Sequence, residues 1–438
     1  MKQFEYVMSG VSATKIINNY SDKSWYPLYV SLTEQITQAA AARVNTNSDV
    51  ETKMSLLYNG FTEKGFGVKF KEQRQAGCTH VYSDSGGLQM ITLGKTITPE
   101  LKSKVYVAQT SADYGLCFDT IPLEKISTGV SSSSERTNLS NKLFNQENLV
   151  ASAKQTGVDV KTQLEYFDSV GAKTKVIIIV QGNTWQDMVI WFDELIKQIP
   201  TPLRKGIQGI AVADTCMGNG EVETVEMMIA ARKIADTYGE EYVKHIHLLG
   251  VGSIARLRPT MMLLRSGYLS CVDRVSFDST SHTHNAMMGK HYTRTGVRTI
   301  SAFRTGVSVG AWSSVYNTNH ALFSPHLDLD TWLSLVFGED GKWTSSSIHK
   351  NANGAHSDTV HAIMAAAIWA YTVEQVETFL NNVHHEYTKK IIRGDAISEL
   401  YYVKTHEDMD NWMQTYSSRC KSARIVRAED QSSLTGFF

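Results

Sequence analysis

The feature that most restricts the fold is a phrase that recurs along the chain, in which four to six apolar or β-branched residues end at one polar residue or glycine. It occurs as "HVYSD" ending at Asp84, "YGLCFD" at Asp119, "VIIIVQG" at Gln181, "GIAVAD" at Asp214, "HLLGVG" at Gly250 and "RVSFD" at Asp278. The endings at 84, 119, 181, 214, 250 and 278 lie 35, 62, 33, 36 and 28 residues apart. A strand, a helix and their loops occupy about 30 residues, so each phrase reads as a strand followed by a helix. Helical patterns fill the gaps, as in Trp185 to Ile199 and in Thr224 to Gly239, the latter closed by a glycine suited to a helix C-terminus. The long interval after Asp119 has room for an insertion, and Ser127 to Lys142 reads as a polar surface loop. Two earlier runs, Phe4 to Gly10 and Trp25 to Leu32, are the candidate opening strands, with Pro27 better suited to a strand start than a strand centre.

Strands alternating with helices imply a parallel sheet. About eight such units predict an α/β fold of the closed (β/α)8 TIM-barrel type, in which the strand C-termini line one mouth. An open doubly wound sheet is the alternative, and it gathers the same strand ends at a switch point instead of a ring. The rhythm stops near residue 310, and Val360 to Arg393 reads as one or two helices. The expected organisation is therefore a barrel core over residues 1–310 and a mostly helical region over 311–438 packed on it.

With 438 residues, 42% of them hydrophobic, the chain has enough apolar material for one large core or two medium ones. The apolar run "VIIIV" is far below the roughly 18 residues that cross a bilayer, and the start "MKQFEYVMSG" has no signal-peptide apolar region. An intracellular, cytoplasmic protein with no membrane partner is the expectation. Five cysteines are scattered singly without a CxxC pair, which predicts free thiols. Cys117 and Cys271 read as packed thiols because no basic partner stands beside them. A net charge of −1 argues against nonspecific coating of nucleic acid, which is driven by phosphate neutralisation, and leaves room for a local basic groove.

Asp84, Asp119, Asp214 and Asp278 each follow an apolar strand, with Gln181 among them, so all five are expected to converge on one mouth. Acids gathered this way admit three readings: divalent metal ligands, an acid and nucleophile acting on a sugar, or a grip on a polar heterocycle. The plain alternative for any one strand-end Asp is a helix N-cap, and it weakens as the pattern repeats. His247 alternates within a strand and reads as core-adjacent, and Ser253 reads as a helix N-cap.

The wording and order of these motifs resemble a known family. "SDSGGLQ" (Ser83 to Gln89), "FDTIPLE" (Phe118 to Glu124), "VQGNT" (Val180 to Thr184), "HLLGVG" (His247 to Gly252, counting Val251) and "VSFDST" (Val275 to Thr280) look like the successive active-site motifs of the queuine/archaeosine tRNA-guanine transglycosylase superfamily. The resemblance covers about residues 80–285 with similar spacing. It implies base exchange at a nucleoside. Asp278 matches the nucleophile that attacks C1′, and Asp84 matches the acid/base residue beside the incoming base. Asp119 and Gln181 match the groups that read the guanine edge, and the same motifs place Ser85, Gly86, Gln89, Gly182, Asp214 and Gly250 around the base. The glycines Gly86 and Gly87 then let backbone approach a flat heterocycle.

Two departures from the family stand out. Where the tRNA enzymes carry a Gly-Gly pair, this chain has Ala213 and Asp214, which narrows the pocket or alters its hydrogen bonding. The family's zinc motif of three cysteines and a histidine is missing, because only Cys420 lies downstream of Cys271. His349, His356 and His361 form a loose cluster near its place, which reads as a solvated loop and a helix start against the alternative of zinc held by histidines, and the expectation is no metal and no other cofactor. Members without the zinc site or an added RNA-binding domain resemble the phage DNA-guanine transglycosylases, which insert 7-deazaguanine derivatives. That branch implies DNA and a 7-deazaguanine base as partners, with tRNA as the alternative polymer and an inert binding barrel as the alternative of another class. Either polymer presents its base outside the stack. Lys290, Arg294, Arg298 and Arg304, with His291 and Tyr292 among them, are the candidate clamp on the flanking phosphates, against the plainer reading of a solvated charged face.

Overall fold

Eight strands in chain order close into one barrel: β1 (Lys2–Met8), β2 (Val50–Asn59), β3 (Val81–Asp84), β4 (Tyr114–Leu116), β5 (Lys175–Val180), β6 (Ile207–Val212), β7 (His245–Leu248) and β8 (Arg274–Ser279). The computed structural model describes residues 2–8, 50–61, 79–87, 96–122, 146–213, 220–279, 373 and 376–420, together with the backbone of two short strands at 290–293 and 296–299. Every neighbouring pair in the barrel is parallel, and β8 returns to β1 with Asp278 opposite Val7. That last pairing leaves no sheet edge and decides for the barrel over the open sheet. Helices α1 (Pro99–Gln109), α2 (Gln146–Ser169), α3 (Trp185–Ile196), α4 (Glu221–Tyr238) and α5 (Ile254–Ser266) follow β3 to β7 in turn. The fold is the (β/α)8 TIM barrel that the recurring phrase predicts.

The six phrases become β3 to β8, and each polar ending lies within three residues of its strand's C-terminal end. The opening differs. β1 forms where Phe4 to Gly10 predicts it, but the second strand is Val50–Asn59, while Trp25 to Leu32 lies outside the described residues. In β2 the polar Glu51, Lys53 and Ser55 alternate with Val50, Thr52 and Met54. The polar set faces the barrel interior, where Ser55 donates to Glu5 and Gln3 Nε2 donates to Glu51 at 2.8 Å. A polar interior is the reverse of the usual apolar filling of such barrels, and it hides the strand from a search for apolar runs.

Helix α3 shows how local sequence sets an element. Thr184 Oγ1 accepts from the Asp187 N–H at 3.3 Å while the Asp187 carboxylate accepts from the Thr184 N–H at 3.1 Å, a closed capping box. Met188, Trp191, Phe192 and Leu195 then recur at helical spacing and are buried. Trp191 donates its indole N–H to Ile179 O at 3.0 Å and so ties the helix to β5. Helix α4 begins at Glu221, three residues before the predicted start, and ends where Gly239 takes φ +119°. Ser253 caps α5, accepting from the Arg256 N–H at 3.4 Å.

The described part of the C-terminal region, residues 376–420, is mostly helical and packs on the barrel. Helix α6 (residues 376–388) lays Phe379 against Tyr6 and Phe277, ring centroids 5.9 Å apart in each case, and Tyr387 against Phe4 at 5.4 Å. It therefore covers the seam between β8 and β1. Helix α7 (His406–Tyr416) holds to α4 and to the turn after α5 through His406, which lies 2.8 Å from Asp236 Oδ2 and 3.1 Å from the Tyr268 hydroxyl. Arg258 of α5 meets Asp395 at 2.7 Å. The polar stretch Ser127 to Lys142 lies outside the described residues. Among the described residues no helix is long and apolar enough to cross a membrane.

Candidate active site

The C-terminal ends of β3, β4, β5, β7 and β8 bring Asp84, Asp119, Gln181, Gly250 and Asp278 to one mouth of the barrel. Asp84 is the last residue of β3, and the N–H groups of Ser85 and Gly86 turn back to donate to its carboxylate. That turn requires Gly86 at φ +72°, where an added Cβ also strikes Asn59 and Phe61. Ser85 is buried, and its Oγ accepts from the Gly87 N–H at 3.3 Å. On its open side Gly87 faces Phe118 and Asp119, with room for ordinary contact only.

Burial pushes the Asp84 carboxyl up to about 6, and the negative charges of Asp278 and Asp119 push the same way against the Ser85 and Gly86 N–H groups. Burial likewise raises Asp119 to about 6, against the donated amide of Gln181. Gln181 Nε2 lies 2.7 Å from Asp119 Oδ2, and both side chains are buried. Together they present a carboxylate and an amide side by side, the complement of a heterocycle edge that carries donors next to a carbonyl.

Asp278 is buried on β8, and its described contacts fall on one oxygen. The Gly250 N–H donates to Oδ1 at 3.0 Å, and His247 Nε2 lies 3.4 Å from the same atom. Gly250 reaches it through a φ of +71°, and its carbonyl accepts from Arg256 at 3.1 Å. Gly182 sits between β5 and the first turn of α3, so its place is set by packing against Met188.

Gln89, Asp214, Arg294 and Arg304 lie outside the described residues, as do His349, His356 and His361. Lys290 and Arg298 stand on an antiparallel strand pair, β9 (Lys290–Thr293) and β10 (Gly296–Thr299), in which Arg298 is opposite His291 and Thr299 opposite Lys290. Cys117 and Cys271 are buried, and burial raises both thiols. Among the described residues no group of three or more His, Cys, Asp or Glu is arranged to hold a metal.

Beneath the mouth lies a layer of which the sequence singles out only His247, read as core-adjacent and found fully buried. Tyr82 of β3 stacks on Tyr114 of β4 at 4.8 Å and on His247 of β7 at 5.6 Å, and its hydroxyl donates to Glu5 Oε2 at 2.7 Å. His80 Nδ1 lies 2.6 Å from Glu5 and Arg274 lies 3.7 Å away. Burial raises the Glu5 carboxyl, but His80, Arg274 and Ser55 outweigh it and hold the group down to about 2. The signal was present as polar residues at every second position, in "HIH" of β7 and in Arg274, Ser276 and Asp278 of β8. Comparison of the chain with protein-family models and with curated proteins gives no match.

Proposed function

We propose that this chain is a guanine transglycosylase that exchanges guanine in DNA for a 7-deazaguanine through a covalent Asp278 glycosyl intermediate. Five ordered motifs support the reading. The observation that carries it is the meeting of Asp84, Asp119 and Asp278 at one mouth, with Asp84 raised to about 6 and Asp278 anchored through Oδ1.

In this reading the Asp278 carboxylate attacks C1′ as the bond from C1′ to N9 of guanine breaks. The purine takes the bonding pair, and the Asp84 carboxyl supplies the proton it needs to leave neutral. A 7-deazaguanine then enters, loses its N9 proton to the Asp84 carboxylate and attacks C1′, which frees the Asp278 carboxylate. One proton is borrowed and returned, and no oxidant or reductant takes part. Asp119 accepts from the ring N–H and amino group of either base, and Gln181 donates to its carbonyl. Lys290, Arg294, Arg298 and Arg304 hold the phosphates on each side of the flipped nucleotide.

The test is covalent trapping. Incubation with DNA or with tRNA, followed by denaturing electrophoresis, is expected to give an adduct with DNA that Asp278→Ala abolishes, and labelled guanine is expected to enter the same polymer. An adduct with tRNA alone moves the assignment to the tRNA enzyme. Absence of adduct and of label with both polymers overturns the reading in favour of an inert binding barrel.

A further inference from the structure

A buried polar chain leads from the barrel centre to Asp278. His247 is fully buried on β7, with Nε2 3.4 Å from Asp278 Oδ1 and Nδ1 2.7 Å from Ser276 Oγ. The same Ser276 hydroxyl lies 2.6 Å from His245 Nε2, and the Tyr82 hydroxyl lies 3.5 Å from that nitrogen. Ser276 and Asp278 sit two residues apart on β8, and His245 and His247 sit two apart on the adjacent β7. Period-2 alternation therefore aims all four side chains at the same interior column.

Counting protons gives the column a direction. A serine hydroxyl has one proton to give, and a neutral imidazole has one N–H. Tyr82 already donates its proton to Glu5. Burial holds His245 well below the usual histidine range, so its ring carries a single N–H. Asp278 Oδ1 accepts from the Gly250 N–H, so a bare Nε2 lone pair on His247 would face an acceptor oxygen with no proton between them. For a neutral His247 ring, the arrangement that gives each of these contacts one donor and one acceptor runs one way: His245 Nε2–H donates to Ser276, Ser276 donates to His247 Nδ1, and His247 Nε2–H points at Asp278, with His245 Nδ1 left bare in the core. The final gap of 3.4 Å is long for a hydrogen bond, as is common for contacts that tighten only when substrate is bound.

We propose that His247 is a positioning residue for Asp278: its Nε2–H, held in that tautomer by Ser276 and His245, grips Oδ1 so that Oδ2 faces the mouth. The proposal rests on the reading of Asp278 as the nucleophile. A donor fixed by a column of buried groups keeps the carboxylate in its attack orientation, and a displacement of about 1 Å at such a group costs on the order of 10²-fold in rate.

Two measurements decide it. In single-turnover trapping at saturating DNA, His247→Phe is expected to slow adduct formation roughly 10- to 100-fold with DNA affinity unchanged. His247→Gln, whose amide N–H reaches in the same direction, is expected to recover most of that loss, and Ser276→Ala to fall between. Independently of activity, ¹⁵N-histidine NMR of the full chain is expected to find the His247 hydrogen on Nε2, with a resonance that moves in Asp278→Asn. Wild-type adduct rates in His247→Phe, no recovery by Gln, a His247 hydrogen on Nδ1 alone, or a resonance indifferent to Asp278→Asn each overturn the proposal. If the wild-type chain forms no adduct with any polymer, the transglycosylase reading fails on its own, and the NMR result alone decides the contact.

Discussion

At the residue scale, Asp84 sits in an environment unlike that of a surface carboxylate, with burial and two neighbouring acids acting on it together. Its carboxyl rises from 3.8 to about 6, so the folded chain binds that proton more tightly than the unfolded chain does. Stability therefore falls as pH rises between those two values and stays lower above them. Asp84→Asn removes the charge, and it is expected to be more stable than the parent at pH 8 by on the order of 1–3 kcal/mol, with little difference at pH 4. Urea denaturation at the two pH values checks this, and an equal gain at both contradicts the assigned cause. The same proton links to chemistry. If Asp84 protonates the departing base, adduct formation slows as pH rises through about 6, and Asp84→Asn loses that dependence together with at least about 10²-fold in rate.

At the element scale, β5 was legible because burial on both faces of a barrel strand gives an unbroken apolar run, "VIIIV", while β7 and β8 showed through the apolar residues on one face of their alternation, Ile246 and Leu248 in the first and Val275 and Phe277 in the second. Strand β2 was not, because Glu51, Lys53 and Ser55 place polar atoms on its interior side. Helix α3 could be read from Thr184, Asp187 and the Met188, Trp191, Leu195 stripe, since cap and stripe are local. Helix α6 falls within the helical stretch Val360 to Arg393, but its berth is not legible there, because nothing local to Phe379 names Tyr6 on the first strand or Phe277 on the last as its partners. Phe379 is almost fully buried, and Phe379→Ala is expected to cost about 3–5 kcal/mol, read by chemical denaturation. Because Phe277 precedes the candidate nucleophile, the same variant is expected to weaken adduct formation more than a change of equal size on α3.

At the scale of the whole molecule, the barrel closes around charge. Glu5 of β1 meets Ser55 of β2, His80 and Tyr82 at β3 and Arg274 of β8, so one carboxylate joins four consecutive strands across the seam. Its carboxyl falls from 4.5 to about 2 on folding, so its contribution is present above the first value and is lost as pH falls toward the second. Glu5→Gln is expected to lower stability at pH 7 by about 3–5 kcal/mol, the cost of breaking a buried charge network from one side. Thermal unfolding followed from pH 7 to pH 2.5 is expected to show that difference shrinking, and a constant gap contradicts the assignment.

The sequence by itself determined the βα rhythm, the parallel sheet it implies and which strand ends carry acids, because strand and helix periodicity and capping are properties of near neighbours along the chain; closure of that sheet into a barrel was left to the β8–β1 pairing. Only the tertiary structure decided that β2 starts at Val50, that α6 seals the β8–β1 seam, and that His245, Ser276 and His247 stand in line behind Asp278. These depend on which side chains meet across the barrel interior, and a polar residue at every second position looks the same in sequence whether it faces water or a buried partner.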